Sequence, residues 1–179
     1  MELNVTLLER LAQKTENLQL LTIRDMNRTS EQVRDALVRM SVQILRNPSL
    51  PITSLWLSRL GSSHEGDQLL EAICSSNISS LKYLNLGDNK SWWLHDSTAH
   101  AFAQFLARQH QLEELHLQKN DFSSAILSLI LAAVKNSECL VSLKKLQLDE
   151  SCWDAQESCE HLAFIIAEAG QLEMVRIVN

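Results

Sequence analysis

The sequence predicts an α/β fold, a solenoid in which strand, turn and helix recur as stacked units. The first observation is the segment Leu112 to Asn120, which follows the pattern L-x-x-L-x-L-x-x-N. Leu115 and Leu117 alternate with polar residues there, which is typical of a half-buried strand. The second is that the pattern recurs, in copies that start at positions 18, 52, 81, 112, 143 and 172. We therefore expect about six repeats of 29–34 residues.

The third observation is that apolar residues between the strands are spaced as on the buried face of a helix. The chain begins with such a segment, Met1 to Thr15, and Thr29 to Gln32 then matches a capping box that opens the next helix. A segment from about Ser124 to Asn136 is apolar almost all round. It suits a buried helix, because a membrane span needs roughly 20 residues. The predicted buried stripes are Val33, Ala36, Leu37, Met40 and Ile44; Leu69, Leu70 and Ile73; Ala99, Phe102, Ala103 and Leu106; and Cys159, Leu162, Ala163 and Ile166.

The residue that ends the strand pattern distinguishes the copies. Asn89 and Asn120 stand there in two copies, and a side-chain amide at this place can hydrogen-bond the backbone of the neighbouring turn. Met26 and Leu60 stand there in the first two copies, so we expect their turns to differ. Large side chains just after this position are predicted to fill the space between loop and helix: Phe122, Trp153 and one of Trp92 or Trp93.

Length and composition indicate one globular domain that spans residues 1–179, because 45% of the residues are hydrophobic. The 16 Lys and Arg against 22 Asp and Glu give a formal charge of −6, and no basic block favours nucleic acid. The four cysteines form no CxxC pair, and no signal peptide is evident. These features favour a reducing, cytoplasmic location without membrane binding.

Residues that would perform chemistry are scarce. The six histidines are scattered, without an HExxH motif or a pairing with cysteine at zinc spacing. The chain also lacks GxxxxGKS/T and GxGxxG, the glycine-rich patterns that cradle nucleotides. We therefore expect no enzyme activity, no catalytic residues, no metal site and no cofactor.

The period of the strands predicts which residues face away from the helices. Trp56 and Tyr83 fall on adjacent strands and should be neighbours, either as anchors for a partner protein or stacked to cover the sheet. The middle column across the sheet is Thr22, Trp56, Asn85, His116, Gln147 and Arg176; the column before it is Leu20, Ser54, Tyr83, Glu114, Lys145 and Met174; the column after it is Arg24, Ser58, Gly87, Gln118, Asp149 and Val178. The predicted partner-binding residues are Trp56, Tyr83, Asn85, Glu114, His116, Lys145, Gln147 and Arg176.

The segments LKYLNLGDN, LEELHLQKN and LKKLQLDES resemble those of leucine-rich repeat proteins of the ribonuclease-inhibitor-like class. The resemblance implies a horseshoe arc with parallel strands on the concave face, and the greater width of helices places them on the convex face. It also implies a protein–protein interaction module or scaffold that binds a partner through the concave strands. Two alternatives remain open: a GTPase-activating regulator of the Ran type, and a structural segment of a larger repeat protein such as an innate immune receptor.

The last copy of the strand pattern, residues 172–178, has no helix after it in this sequence. Terminal units of a solenoid need a covered or polar outer face, and an uncovered edge strand is prone to strand addition. We therefore expect that the chain belongs to a longer repeat array or that strand 172–178 pairs with another molecule, which includes self-association of this chain. The alternative is that the end frays.

Overall fold

Six short strands form one parallel sheet in which neighbours in sequence are neighbours in space. The computed structural model describes residues 17–26, 29–60, 63–90, 96–149 and 156–178. This arrangement confirms the α/β class with parallel strands. The horseshoe arc and the number of repeats stay predictions. The strands are β1 Leu20–Arg24, β2 Ser54–Ser58, β3 Tyr83–Asn85, β4 Glu114–His116, β5 Lys145–Asp149 and β6 Met174–Val178.

Five α-helices alternate with the strands in the described residues, and each packs against the helix before or after it. A short 3-10 helix, Glu138–Val141, precedes β5. Among the described residues no helix combines the length and the apolar character that crossing a membrane requires. The helices are α1 Glu31–Arg46, α2 Ser63–Ser75, α3 Asp96–Ala107, α4 Ser124–Lys135 and α5 Gln156–Glu168.

The core lies between the sheet and the helices. The leucines in register on the central strands, Leu55, Leu84, Leu115 and Leu146, have no solvent exposure. The stripe predicted for α3 is buried, and so is Phe122, as the sequence indicates. Since alternate strand residues enter this core, the two predicted columns that begin with Leu20 and Thr22 lie on the opposite side of the sheet.

A ladder of asparagine side chains ties neighbouring turns together. The Asn120 Nδ2 donates to the carbonyl oxygens of Leu117 (2.7 Å) and Leu86 (3.0 Å), and its Oδ1 accepts from the Asn89 backbone N–H (2.9 Å). Asn89 makes the same kind of hydrogen bond one turn earlier. Its Nδ2 donates to the Leu57 carbonyl oxygen at 2.7 Å. The prediction that Asn120 hydrogen-bonds the neighbouring turn is therefore confirmed.

The turns before and after this ladder do not use an asparagine side chain of their own, and other groups hold them in place. Met26 and Leu60 are buried at the asparagine position, and the Leu60 N–H donates to Asn89 Oδ1 at 3.3 Å. At the other end, Asp149 accepts hydrogen bonds from the backbone N–H groups of Lys119, Asn120 and Asp121. Asp149 belongs to a column that the strand period predicts to face away from the helices, but its carboxylate is buried in this role.

Three helix predictions need correction. In α1 the buried residues include Val38, Ser41 and Leu45, whereas the predicted stripe residues Val33, Leu37 and Met40 are half-buried. In α1 the N-cap is Ser30, and the Thr29 hydroxyl donates to the Met26 carbonyl at 2.7 Å instead of capping the helix. In α5 the buried face is turned by about one residue, because the Ser158 hydroxyl donates to the Ser124 carbonyl at 3.4 Å and makes a polar residue acceptable inside. The predicted stripe residues Cys159, Ala163 and Ile166 are consequently exposed, whereas Ser158, Leu162 and Ile165 are buried.

Some predictions lie outside the described residues. They are the helix Met1 to Thr15 and the packing of Trp153 and of Trp92 or Trp93.

Candidate functional site

The candidate site is the side of the sheet opposite the helices, here called the open face. It consists of Leu20 and Thr22 of β1, the residues in register with them on β2 to β6, and Arg24 at the end of β1. The backbone register is uniform, so side chains from six strands are brought side by side at strand spacing, about 4.8 Å. A partner that touches this face contacts residues far apart in sequence.

A continuous row of ring and charge contacts crosses the open face, and we call it the aromatic row. The Arg24 guanidinium lies over the Trp56 ring, 4.1 Å from its centroid. Trp56 and Tyr83 have centroids 5.9 Å apart, and Tyr83 and His116 follow at 5.1 Å. His116 Nε2 lies 3.1 Å from Glu114 Oε2, and Lys145 Nζ donates to Glu114 Oε1 at 2.8 Å. The aromatic row therefore joins β1 to β5.

Local hydrogen bonds fix the orientation of the two large rings. The Trp56 indole Nε1–H donates to Ser58 Oγ at 3.1 Å. Asn85 Nδ2 donates to the Tyr83 hydroxyl at 3.4 Å, while Asn85 Oδ1 accepts from the Gly87 N–H at 2.9 Å. Rings held in this way lose little rotamer freedom when another surface covers them.

Glu114 is the electrostatic centre of the aromatic row. Partial burial acts to raise the pKa of its carboxyl, but hydrogen bonds from Lys145 and His116 outweigh that effect and hold the pKa below its ordinary value. The hydrogen bond to Glu114 likewise raises the pKa of Lys145. Both groups are therefore charged across the neutral pH range.

A second row of alternating charge lies one residue earlier on the strands. Lys144 Nζ donates to Glu113 Oε2 at 2.7 Å, and this hydrogen bond lowers the pKa of Glu113 and raises that of Lys144. Lys82 and Glu173 extend the alternation on either side, since the backbone N–H of Glu113 donates to the Lys82 carbonyl and that of Glu173 to the Lys144 carbonyl. The Lys144–Glu113 and Lys145–Glu114 ion pairs lie at the surface, so each contributes little to the free energy of unfolding.

The turns that follow the strands carry a further set of charges. Asp25, Arg59, Asp88 and Lys119 have positive φ of 57°, 55°, 63° and 58° at equivalent places. Arg59 Nη1 lies 3.1 Å from Asp25 Oδ1, and Arg59 Nε lies 3.6 Å from Asp88 Oδ2. The hydrogen bond to Asp25 raises the pKa of the guanidinium. The rim of the open face is therefore charged in both signs.

The structure brings all eight predicted partner-binding residues onto one face, but it exposes them unequally. Arg176 is exposed, and Trp56, Tyr83, Glu114, Lys145 and Gln147 are half-buried. Asn85 and His116 retain only 4% and 9% of their exposure, because the neighbouring rings and loops cover them. These two residues position the rings rather than offer surface of their own.

Arg24 is a member of the aromatic row that the predicted site leaves out. It lies in the column after Trp56, one strand away, and diagonal neighbours of this kind are within reach of long side chains. The predicted register of β1 and β2 places Arg24 diagonally across from Trp56, and it could have identified Arg24 from the sequence.

Grooves on the helix side of the described residues include the following two. One, with a volume of about 350 Å³, lies among α3, α4 and α5; its lining includes Ala99, His100, Ser128 and Glu157. The other, of about 370 Å³, lies between α2 and α3 and includes Cys74, where burial raises the thiol pKa to about 12 and disfavours the thiolate. The described residues contain no group of three or more His, Cys, Asp or Glu side chains placed to hold a metal ion.

Comparison with known proteins adds no conclusion about function. The sequence matches no known protein-family profile. It matches no curated protein either. Among solved structures, the chain is similar to Leiomodin-1 Actin-Binding Site 2 (ABS2), with 13% sequence identity and a TM-score of 0.47, over 96% of this chain and 77% of that chain. At that identity and TM-score, the similarity carries no conclusion about a partner.

Proposed function

We propose that this protein is a binding module that docks a partner protein on the open face, with the aromatic row at the centre of the contact. The observation that supports this most directly is the continuous row from Arg24 to Lys145, in which half-exposed Trp56 and Tyr83 are held by their neighbours. Aromatic and arginine side chains at the centre of a patch commonly supply most of the free energy of binding.

The charges around the aromatic row favour a protein partner of matching pattern. Lys145 and Glu114 pair within the face, and Arg59 pairs with Asp25 and Asp88 at the rim. A surface that alternates in sign attracts a complementary surface of alternating sign and gives a polyanion no continuous positive track. The proposed role is non-enzymatic, and the proposed location is cytoplasmic on the sequence argument alone.

The alternative of a Ran-type GTPase-activating regulator depends only on the resemblance of the strand segments. Nothing in the described ranges of the chain adds to it. Stimulated GTP hydrolysis by a panel of small GTPases would be its direct test.

The experiment is affinity capture with the wild-type chain and the double variant Trp56→Ala, Tyr83→Ala, followed by titration of the captured partner. We expect the double variant to weaken binding by at least about 2 kcal/mol, or roughly thirtyfold, because central aromatic anchors are removed. Phe164→Ala is the matched control, since it removes a half-exposed aromatic ring from α5 on the helix side.

Two results would contradict the proposal. One is unchanged affinity in the double variant. The other is loss of affinity in Phe164→Ala of the same size, which would place the interface on the helices. Circular dichroism of each variant must show a folded chain, because unfolding of the double variant would mean that the two rings act as core.

A further inference from the structure

The groove of about 350 Å³ among α3, α4 and α5, here called the α4 groove, is lined mainly by α4. Ala125, Leu129 and Ala132 lie one and two helical turns apart, so they share one face of that helix. Ala125 is exposed, and the other two are half-buried. The one charged residue of α4 is Lys135, at its last position. An apolar wall is therefore open to solvent on the helix side.

Ser128 lines the α4 groove, is 6% exposed, and has a hydroxyl that no described residue hydrogen-bonds. A helical serine often donates to the carbonyl four residues earlier, as Ser41 does to Leu37. For Ser128 that carbonyl belongs to Ser124, and it already accepts the Ser158 hydroxyl at 3.4 Å. The regular bonding of an α-helix also directs the Ser128 N–H to it, and a carbonyl oxygen has two lone pairs.

A buried hydroxyl without a partner lowers the stability of the folded chain, because it has lost its bonds to water and gained none. A bound molecule that offers a hydrogen bond to Ser128 removes this deficit. The same molecule would bury the apolar wall of α4. The α4 groove therefore combines an apolar surface with a single unsatisfied polar group, the pattern of a small-molecule site.

The size and charge of the α4 groove restrict the ligand. Its volume lies near the lower end of the range for small-molecule sites, which is about 300–1,000 Å³. No lysine or arginine is among its described lining residues, and the 71% exposed carboxylate of Glu157 opposes an anion. A cation would have to leave water for an apolar wall, which is costly. These conditions favour a small neutral molecule.

We propose that the α4 groove binds a small neutral molecule with a hydrocarbon body and one carbonyl or hydroxyl oxygen. The hydrocarbon body lies against Ala125, Leu129 and Ala132. The oxygen hydrogen-bonds the Ser128 hydroxyl, which meets it by rotation about the Cα–Cβ bond. This site is on the helix side, so it is separate from the open face and goes beyond the proposed function.

The test uses the 179-residue chain with ¹³C-labelled alanine methyl groups and two probes of similar shape, acetophenone and ethylbenzene. Acetophenone has a carbonyl oxygen where ethylbenzene has a methylene group. NMR titration follows the methyl groups of Ala125 and Ala132, while that of Ala101, in the groove between α2 and α3, reports binding elsewhere. We expect saturable shifts at Ala125 and Ala132 with both probes and no parallel shift at Ala101.

The Ser128→Ala variant tests the hydrogen bond. It is expected to weaken binding of acetophenone by at least about threefold and to change that of ethylbenzene by less than about twofold, because only the carbonyl oxygen loses a partner. The fold should be kept, since the hydroxyl removed is unsatisfied. Ser41→Ala is the matched control, because this buried helical serine lies outside the α4 groove and should alter neither affinity.

The Ala125→Leu variant tests the apolar wall. It is expected to weaken both probes by about tenfold or more, because the larger side chain takes up space in the groove. Residue 125 is exposed on a helix and leucine favours helices, so the fold should be kept.

Four outcomes would overturn the inference. Three are the absence of saturable shifts up to the solubility limit of the probes, equal effects of Ser128→Ala on the two probes, and unchanged affinities in Ala125→Leu. The fourth is self-association through this face, seen as a mass in light scattering that rises with concentration and falls in Ala125→Lys, which would identify a second copy as the occupant.

Discussion

At the scale of single residues, Asn120 shows how one amide sets the stacking of two repeats. Its side chain satisfies two carbonyl oxygens, on its own repeat and on the preceding one, and receives an N–H from Asn89. All of these groups are buried. If the Asn120 amide is removed, each therefore loses a hydrogen bond that water cannot replace.

Asn120→Ala is therefore expected to lower the free energy of unfolding by about 2–4 kcal/mol, because buried polar groups lose their partner. Chemical denaturation measures the loss. Asn77→Ala is the control, since this asparagine is exposed before β3 and should change stability by no more than about 0.5 kcal/mol. Equal losses in the two variants would refute the ladder as a source of stability.

Glu114 gives a prediction in pH. Its pKa in the folded protein lies below the ordinary value of 4.5, so its contribution is complete above that pH and is lost as the pH falls through the lower folded pKa. Glu114→Gln should cost about 0.2–1 kcal/mol at pH 7 and less at pH ~3. Urea unfolding at both values checks the sign, and a cost that grows towards acid pH would contradict it.

At the scale of elements, the strands were predicted correctly, whereas the buried faces of α1 and α5 were predicted only in part. The strand columns follow from period two, because a shift of one residue would place Leu115 and its equivalents in water. The buried face of a helix is not fixed so strictly by its period. In α5 Ser158 faces inward, where its hydroxyl donates to the Ser124 carbonyl. The sequence did not indicate that pairing, because it joins two helices.

The candidate site shows the same contrast between features that the strand period predicts and features that it does not. The predicted face was defined by register alone, so Trp56 and Tyr83 were placed correctly as neighbours. The burial of Asn85 and His116 depends on which rings lean over them, and the carboxylate of Asp149 turns to the backbone of the preceding turn. Such choices of side-chain direction are made by three-dimensional neighbours and leave no periodic signal in the sequence.

The same column of the sheet allows a matched comparison of two strands. Leu115→Ala is expected to cost about 2–5 kcal/mol, since the side chain has no exposure and its removal leaves a cavity. Val175→Ala, in the equivalent place on half-covered β6, should cost less than about 1.5 kcal/mol. Thermal or urea unfolding measures both, and similar losses would show that β6 is covered in solution.

At the scale of the whole molecule, each unit contacts its neighbours, so stability is a sum of unit and interface terms. A unit with one interface should open more readily than a unit with two. β1 and β6 are the described strands with one neighbour each, and the core-facing residues of β6, Val175 and Ile177, are more exposed than Leu21 and Ile23 of β1.

Hydrogen exchange should therefore show a gradient. The amides of β6 are expected to exchange at least about tenfold faster than those of β4, which is paired on both sides. Exchange followed by mass spectrometry over peptides 112–119 and 171–178 measures this. Equal protection of the two strands would contradict the gradient.

The alternation of Lys82, Glu113, Lys144 and Glu173 means that the charge contacts of a shortened or lengthened chain depend on how many units are lost or gained. Deletion of the single unit that contains Glu113 would place Lys82 beside Lys144, two like charges on adjacent strands. Deletion of two successive units would place Lys82 beside Glu173 and restore attraction. Duplications obey the same arithmetic. In this part of the chain, loss or gain of two units keeps opposite charges on adjacent strands, whereas loss or gain of one unit sets like charges side by side.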